Sequence, residues 1–258
     1  MMDLKGRVII VTGAASGIGE ATAMRLASEG AHLVINDING QDLRMTGEML
    51  KGSGHLQLEG DVSQESTAKA LAQAAEETFG RIDGLVNNAG IHYIHDINEI
   101  TSDDFDRVVG INLRSMFLCA KHVIPAMLRQ RQGSIVNLAS ISSYVGQEME
   151  GKSTVLYNIT KAGALQMARS LATRYAADGI RVNAVSPGAT HTNQIIHENP
   201  NRGAELEAQI WMGAASATPL GRVAVPSEIA ACIAFLLSDE ASFVTGTALI
   251  ADDGYLAR

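Results

Sequence analysis

Seven short apolar runs constrain the fold more than any other feature: Val8–Val11, His32–Asn36, Leu56–Leu58, Gly84–Val86, Ser134–Asn137, Arg181–Val185 and Ala248–Ile250. Helix-like segments separate them, at about 18–29, 40–52, 64–79, 102–130, 154–178 and 227–238. Unbroken apolar runs suit strands buried on both faces. Strands alternating with helices make βαβ units, and hence a parallel sheet with right-handed crossovers. The expectation is an α/β fold: a doubly wound parallel sheet of about seven strands, helices on both faces, and one domain over residues 1–258. The stretch Ala189–Arg222 fits least well. It follows Pro187-Gly188, carries Asn199-Pro200 and holds two possible short helices, one at about 203–215, so it reads as an insertion over a site, with a substrate lid at about 189–218.

Charge narrows the partners. Lys and Arg number 20 against 28 Asp and Glu, a formal charge of −8, and the basic residues form no run. That argues against a nucleic-acid surface. The 2 cysteines, Cys119 and Cys232, lack any metal-ligand spacing and are expected as reduced thiols. No metal site is expected. The first residues are too briefly apolar for a signal peptide, and Ile229–Leu237 is far short of the ~18 residues that span a bilayer. A cytoplasmic location is therefore expected, with no membrane partner.

The first strand runs into Thr12-Gly13-Ala14-Ala15-Ser16-Gly17-Ile18-Gly19. Glycines there allow a sharp turn and close approach to a pyrophosphate, and the following helix N-terminus offers free N–H groups. Ser16 adds a hydroxyl. The pattern is expected to form a nucleotide site on a Rossmann-type sheet rather than an ordinary glycine-rich turn. The second strand ends in Asp37, where a carboxylate would bind both ribose hydroxyls and repel a 2′-phosphate. Neither Lys nor Arg stands at Ala14, Ala15, Ser16 or Ile38, so NAD is the expected cofactor. Tyr157 and Lys161 stand four apart, on one face of a helix. The overlapping Asn158-Ile159-Thr160 fits a glycosylation sequon, a reading that needs a secretory context the chain does not suggest.

Together these pieces, with Asp61-Val62, NNAG at 87–90, Asn112 in GINLRSMF, SIVNLAS at 134–140, RVNAVSPG at 181–188, Thr192, PLGR at 219–222 and FVTG at 243–246, resemble the classical short-chain dehydrogenase/reductase family over essentially the whole chain. The resemblance implies that Gly13, Ser16, Gly17, Ile18 and Gly19 hold the pyrophosphate and that Asp61 and Val62 hold the adenine. It implies that Asn88, Ala89 and Gly90 line the cofactor, and that Pro187, Gly188 and Thr192 lie beside the carboxamide. Asn112, Ser140, Tyr157 and Lys161 would be catalytic, with Asn112 in a water relay toward Lys161. Tyr157 and Lys161 would also touch the cofactor. The implied reaction is hydride transfer between nicotinamide and a secondary alcohol or ketone.

The chemistry suits these residue types. A free tyrosine, with pKa about 10, is a poor base near neutral pH, and a neighbouring cation favours its phenolate. Ser140 would stabilise a developing oxyanion.

Two departures stand out. Ser140 lies seventeen positions before Tyr157, whereas the family serine lies about a dozen before, the extra residues falling in 144–154. The family's Val-Asp-Gly-Gly is here Ala251-Asp252-Asp253-Gly254. Substrate contacts are expected from Ser142, Gln147, His92 and His191, with Tyr93, Met149 and Trp211 nearby. A sugar, polyol or cyclic alcohol fits; a 3-oxoacyl thioester and a non-catalytic dinucleotide sensor are the alternatives. Small residues Ala162, Gly163, Ala168 and Ala172 on helix 154–178 suggest pairing of that helix across a two-fold and a homotetramer.

Overall fold

In a computed structural model describing residues 2–149, 151–192 and 204–258, the chain forms a seven-stranded sheet and a small hairpin. The strands are β1 (Val8–Thr12), β2 (His32–Asp37), β3 (Leu56–Glu59), β4 (Gly84–Asn87), β5 (Gly133–Leu138), β6 (Glu148–Met149), β7 (Lys152–Ser153), β8 (Ile180–Pro187) and β9 (Ala248–Ala251). The sheet order is β3-β2-β1-β4-β5-β8-β9, and every pairing in it is parallel. The chain winds outward from β1 to β3, then returns to place β4 on the other side of β1. That reversal opens a crevice at the carboxyl ends of β1 and β4, where α/β sheets bind ligands.

The helices are α1 (Gly17–Ser28), α2 (Gly40–Met49), α3 (Glu65–Phe79), α4 (Ser102–Val109), α5 (Ser115–Gln130), α6 (Val155–Tyr175), α7 (Ala204–Ser216) and α8 (Pro226–Leu237). Successive strand residues point to opposite faces, so each apolar run feeds two cores. Val8, Ile10, Val34, Leu85 and Ile135 pack with α3, α5 and α6. Ile9, Val11, Leu33, Ile35, Val86 and Val136 pack with α1 and α8. Cys119 is buried and Cys232 half-buried, and both are free.

Three findings differ from the sequence expectation. Segment 102–130 is not one helix: a π-helical turn at Gly110–Arg114 interrupts it. Its helical period hides the extra residue in the sequence, and such turns favour functional sites. Segment 144–154 forms the hairpin, with β6 antiparallel to β7. Of the small residues of α6, Ala168 and Ala172 are buried in the core and a Cβ on Gly163 would stand 2.8 Å from Leu113 Cδ2, so these three serve this chain's own packing, whereas Ala162 is exposed. Of the lid, residues 193–203 lie outside the described residues, and α7 occupies the remainder close to the expected helix.

Candidate active site

The residues singled out in the sequence gather at the carboxyl ends of the strands. Gly13 follows β1, Asp37 ends β2, Asp61 follows β3, Asn88 follows β4, Ser140 follows β5 and Gly188 follows β8. The glycine loop is tight because its neighbours fill the space side chains would take. Gly13 has φ +65, and a Cβ there would meet Ala89 Cα at 2.8 Å. A Cβ on Gly19 would lie 1.9 Å from Gly13 O. Gly19→Ala should therefore open the loop, lower Tm and weaken NADH binding at least ~10-fold, about 1.4 kcal/mol; fluorescence titration reads the affinity.

Asn88 does more than line this loop. Its Nδ2 donates to the carbonyls of Thr12 and Gly13, at 3.0 and 2.8 Å. Thr12, not singled out in the sequence, accepts the Asn88 and Ala89 amides at its hydroxyl, at 3.1 and 3.2 Å. A buried threonine closing an apolar strand is the signal that could have marked it.

A dinucleotide fits this chain on three observations. Ser16 caps α1 without spending its hydroxyl on the helix. Asp37 is half-buried; its carboxylate accepts Ala15 N at 3.1 Å and Asn39 N at 3.0 Å, which aims it at the loop mouth and leaves lone pairs spare. A cavity of about 500 Å³ opens beside Asp61, Val109 and Gly110, at the end assigned to adenine. Val62 is buried next to it. At the residues the resemblance places beside the carboxamide, a Cβ on Gly17 would stand 3.3 Å from Thr192 Cγ2, and one on Gly188 2.8 Å from Asp252 Cα.

The reacting end is built on α6. Lys161 is 3% exposed, and its Nζ donates to Leu138 O at 2.8 Å and lies 5.5 Å from the centre of the Tyr157 ring. Burial pulls its ammonium down to about 8. The His92 ring meets the Tyr157 ring edge-on at 4.6 Å. Asn112, wholly buried on the π turn, accepts Ile91 N and donates to Ile91 O, both at 2.8 Å, and donates to Thr160 Oγ1 at 3.2 Å. Its side chain thus pins the loop after NNAG to α6. A Cβ on Gly90 would stand 3.3 Å from Asn112 Oδ1 and 3.5 Å from Lys161 Nζ, so loop, π turn and α6 converge there.

Ser140 Oγ donates to Ser142 Oγ at 3.1 Å, and Ser142 Oγ in turn donates to Gln147 Oε1. Ser140, Ser142 and Gln147 therefore form one connected group. Of the other substrate candidates, exposed His191 lies tilted against Trp211 of α7, ring centroids 4.9 Å apart. Tyr93 turns into packing instead, against His95 and with Val108 and Leu156. At the departure near the C-terminus, Asp253 adopts φ +62. Its carboxylate accepts Thr218 Oγ1 at 2.5 Å and Arg222 N at 3.4 Å, tying the C-terminal segment to the loop after α7. Among the described residues no three His, Cys, Asp or Glu side chains gather as a metal ion would require.

Known proteins resemble this chain over essentially its whole length. A family model described as enoyl-(acyl carrier protein) reductase matches residues 13–256. The cis-4-hydroxycyclohexanecarboxylate dehydrogenase of Sinomonas cyclohexanicum is 42% identical over 255 residues, covering 97% of each chain. The chain belongs to the classical short-chain dehydrogenase/reductase family. Levodione reductase of Leifsonia aquatica is 38% identical, covering 97% of this chain and 94% of that one. The ligand-free aldohexose dehydrogenase of Thermoplasma acidophilum superposes with a TM-score of 0.88 at 30% identity, covering 100% and 96% of the two chains. As a short-chain dehydrogenase/reductase the protein is an oxidoreductase of CH–OH groups with a nicotinamide cofactor.

Proposed function

We propose that the chain is an NAD(H)-dependent oxidoreductase interconverting a cyclic secondary alcohol and its ketone. The pairing of Tyr157 with buried Lys161 carries the reading. In reduction Tyr157 gives its phenolic proton to the substrate oxygen; in oxidation its phenolate takes that proton. Ser140 donates a hydrogen bond to the same oxygen as charge develops. The nicotinamide supplies or takes the hydride. Lys161 favours the phenolate through its charge and, from the same helix, can reach the cofactor ribose. The glycine loop, Asp37, Asp61, Val62 and Asn88–Gly90 hold the cofactor, with Pro187, Gly188 and Thr192 on its carboxamide side.

Asp37 supports NAD over NADP. A carboxylate already aimed at the loop would face a 2′-phosphate with like charge. Asp37→Ala should raise the NADPH/NADH ratio of kcat/KM about tenfold or more, the effect of lifting ~1.4 kcal/mol of discrimination. A wild-type ratio at or above one would overturn the preference.

The cyclic substrate is supported by the names of two relatives, a hydroxycyclohexanecarboxylate dehydrogenase and levodione reductase. NADH oxidation at 340 nm over cyclic ketones, aldoses and a 3-oxoacyl thioester tests it; turnover of the thioester alone would overturn it. We further place the protein in the cytoplasm as a homotetramer. Among the described residues no helix is long and apolar enough to cross a membrane. Exposed Phe105 and Phe117 on α4 and α5, and Phe243 and Ile250 near the C-terminus, offer apolar surface for assembly. Light scattering that gives a monomer mass would refute the assembly.

A further inference from the structure

We propose that Gln147, supplied by the lengthened segment before Tyr157, is a positioning residue that sets the direction of the Ser140 proton through Ser142. The proposal rests on the reading of Ser140 as the donor to the substrate oxygen.

Each of these groups has a limited supply of protons. Ser140 Oγ accepts Ser142 N at 3.1 Å and donates to Ser142 Oγ, also at 3.1 Å. Ser142 has one hydroxyl proton, and it lies on Gln147 Oε1. A carbonyl oxygen only accepts, so Ser142 Oγ can only accept from Ser140. With the chain running this way, the Ser140 proton points back into the protein, away from a substrate.

A carboxamide carries its donor and its acceptor on one planar group of nearly equal ends. A half-turn brings Nε2 to where Oε1 stood. Nε2 then donates to Ser142, Ser142 to Ser140, and the Ser140 proton is left for the substrate oxygen. Hydrogen bonds in such a chain polarise one another, so Ser140 becomes the better donor. The turn breaks no bond to Nε2 among the described residues. The backbone meanwhile stays fixed. Gln147 O accepts both Thr154 N, at 3.2 Å, and Thr154 Oγ1, at 2.9 Å, and Thr154 is buried. Asn158 Nδ2 holds Val145 O at 2.6 Å.

The hairpin braces this arrangement from the far side. Lys152 pairs with Glu99 at 2.8 Å, Ser153 N donates to Asp96 at 3.0 Å, and His95 N donates to Ser153 O at 3.0 Å. The loop so tied is the one that carries His92 against Tyr157. The added residues thus connect the two sides of the reacting group.

The test is Gln147→Glu beside Ser142→Ala, assayed for ketone reduction with NADH. A carboxylate can only accept, so it holds the chain in the inward direction. Each variant should lose about tenfold in kcat, part of the ~10²–10³ lost when a whole oxyanion donor goes. NADH affinity by fluorescence and Tm should change little. The double variant should be no worse than Ser142→Ala, since both break one chain. As pH falls from 8 to 6 the introduced carboxyl gains a proton it can donate, and the Gln147→Glu to wild-type ratio of kcat should rise. Tyr157, Lys161, His92, Asp96, Glu99, Glu148 and Lys152 are common to both proteins and largely cancel in that ratio. Retention of more than half of kcat by both variants, additive losses, or a ratio flat with pH would overturn the relay. If the wild type reduces no ketone, the functional reading has failed; if it does and the variants match it, only the relay has.

Discussion

Tyr157→Phe is expected to bind NADH within about twofold of the wild type and to lose at least ~10² in kcat, the usual worth of a positioned acid or base. The substitution removes one oxygen and keeps the ring, so the edge-on contact with His92 and the helix packing survive. Ser140 and Lys161 do not depend on the phenol for their places: Ser140 is held by Ser142, and Lys161 by the Leu138 carbonyl. Binding and chemistry therefore separate. Stopped-flow single turnovers with NADH read the chemical step directly. More than ~10% residual kcat would remove Tyr157 from the role of acid and base.

The sheet was legible because strands buried on both faces leave unbroken apolar runs, such as Ile9–Val11 and Leu33–Ile35, that no surface element would carry. The candidate site residues gather at the carboxyl ends of the strands because each motif comes at the end of such a run. Side-chain partnerships were not legible. Asn88 is expected from the sequence to line the cofactor; that its side-chain amide also donates to Thr12 and Gly13 was not legible, because nothing local to NNAG shows which carbonyls lie opposite. The π turn escaped because Asn112 keeps a helical pattern on both sides of it. The hairpin escaped because its strands are two residues each, too short for alternation to register. Tyr93 looked like a pocket residue from its place after NNAG; only the tertiary contacts with Val108 and Leu156 turn it into the core.

Lys161→Met should lose ~10²–10³ in kcat, because the phenolate of Tyr157 then lacks its nearby cation. The same variant carries a signature in stability that a merely supporting residue would not. Burial lowers the Lys161 ammonium from 10.5 to about 8. Between those values the unfolded chain binds more protons than the folded one, so this residue makes stability rise with pH across that window. The cost of the buried charge is full below about pH 8, is relieved as pH climbs toward 10.5, and amounts to about 3 kcal/mol at most, at 1.36 kcal/mol per unit. Methionine fills similar volume without charge, although it leaves Leu138 O short of a donor. The absolute Tm of the variant therefore reflects two opposed effects, but its pH dependence reflects one. Relative to the wild type, Lys161→Met should be at its most favourable near pH 7 and should lose that advantage by pH 10. Parallel Tm curves over this range would mean that Lys161 is not a buried, destabilised cation. The arrangement would then lack the feature that lets a tyrosine act as a base: a charge kept in a dry site at a cost to the fold, where its field on the phenol is least screened.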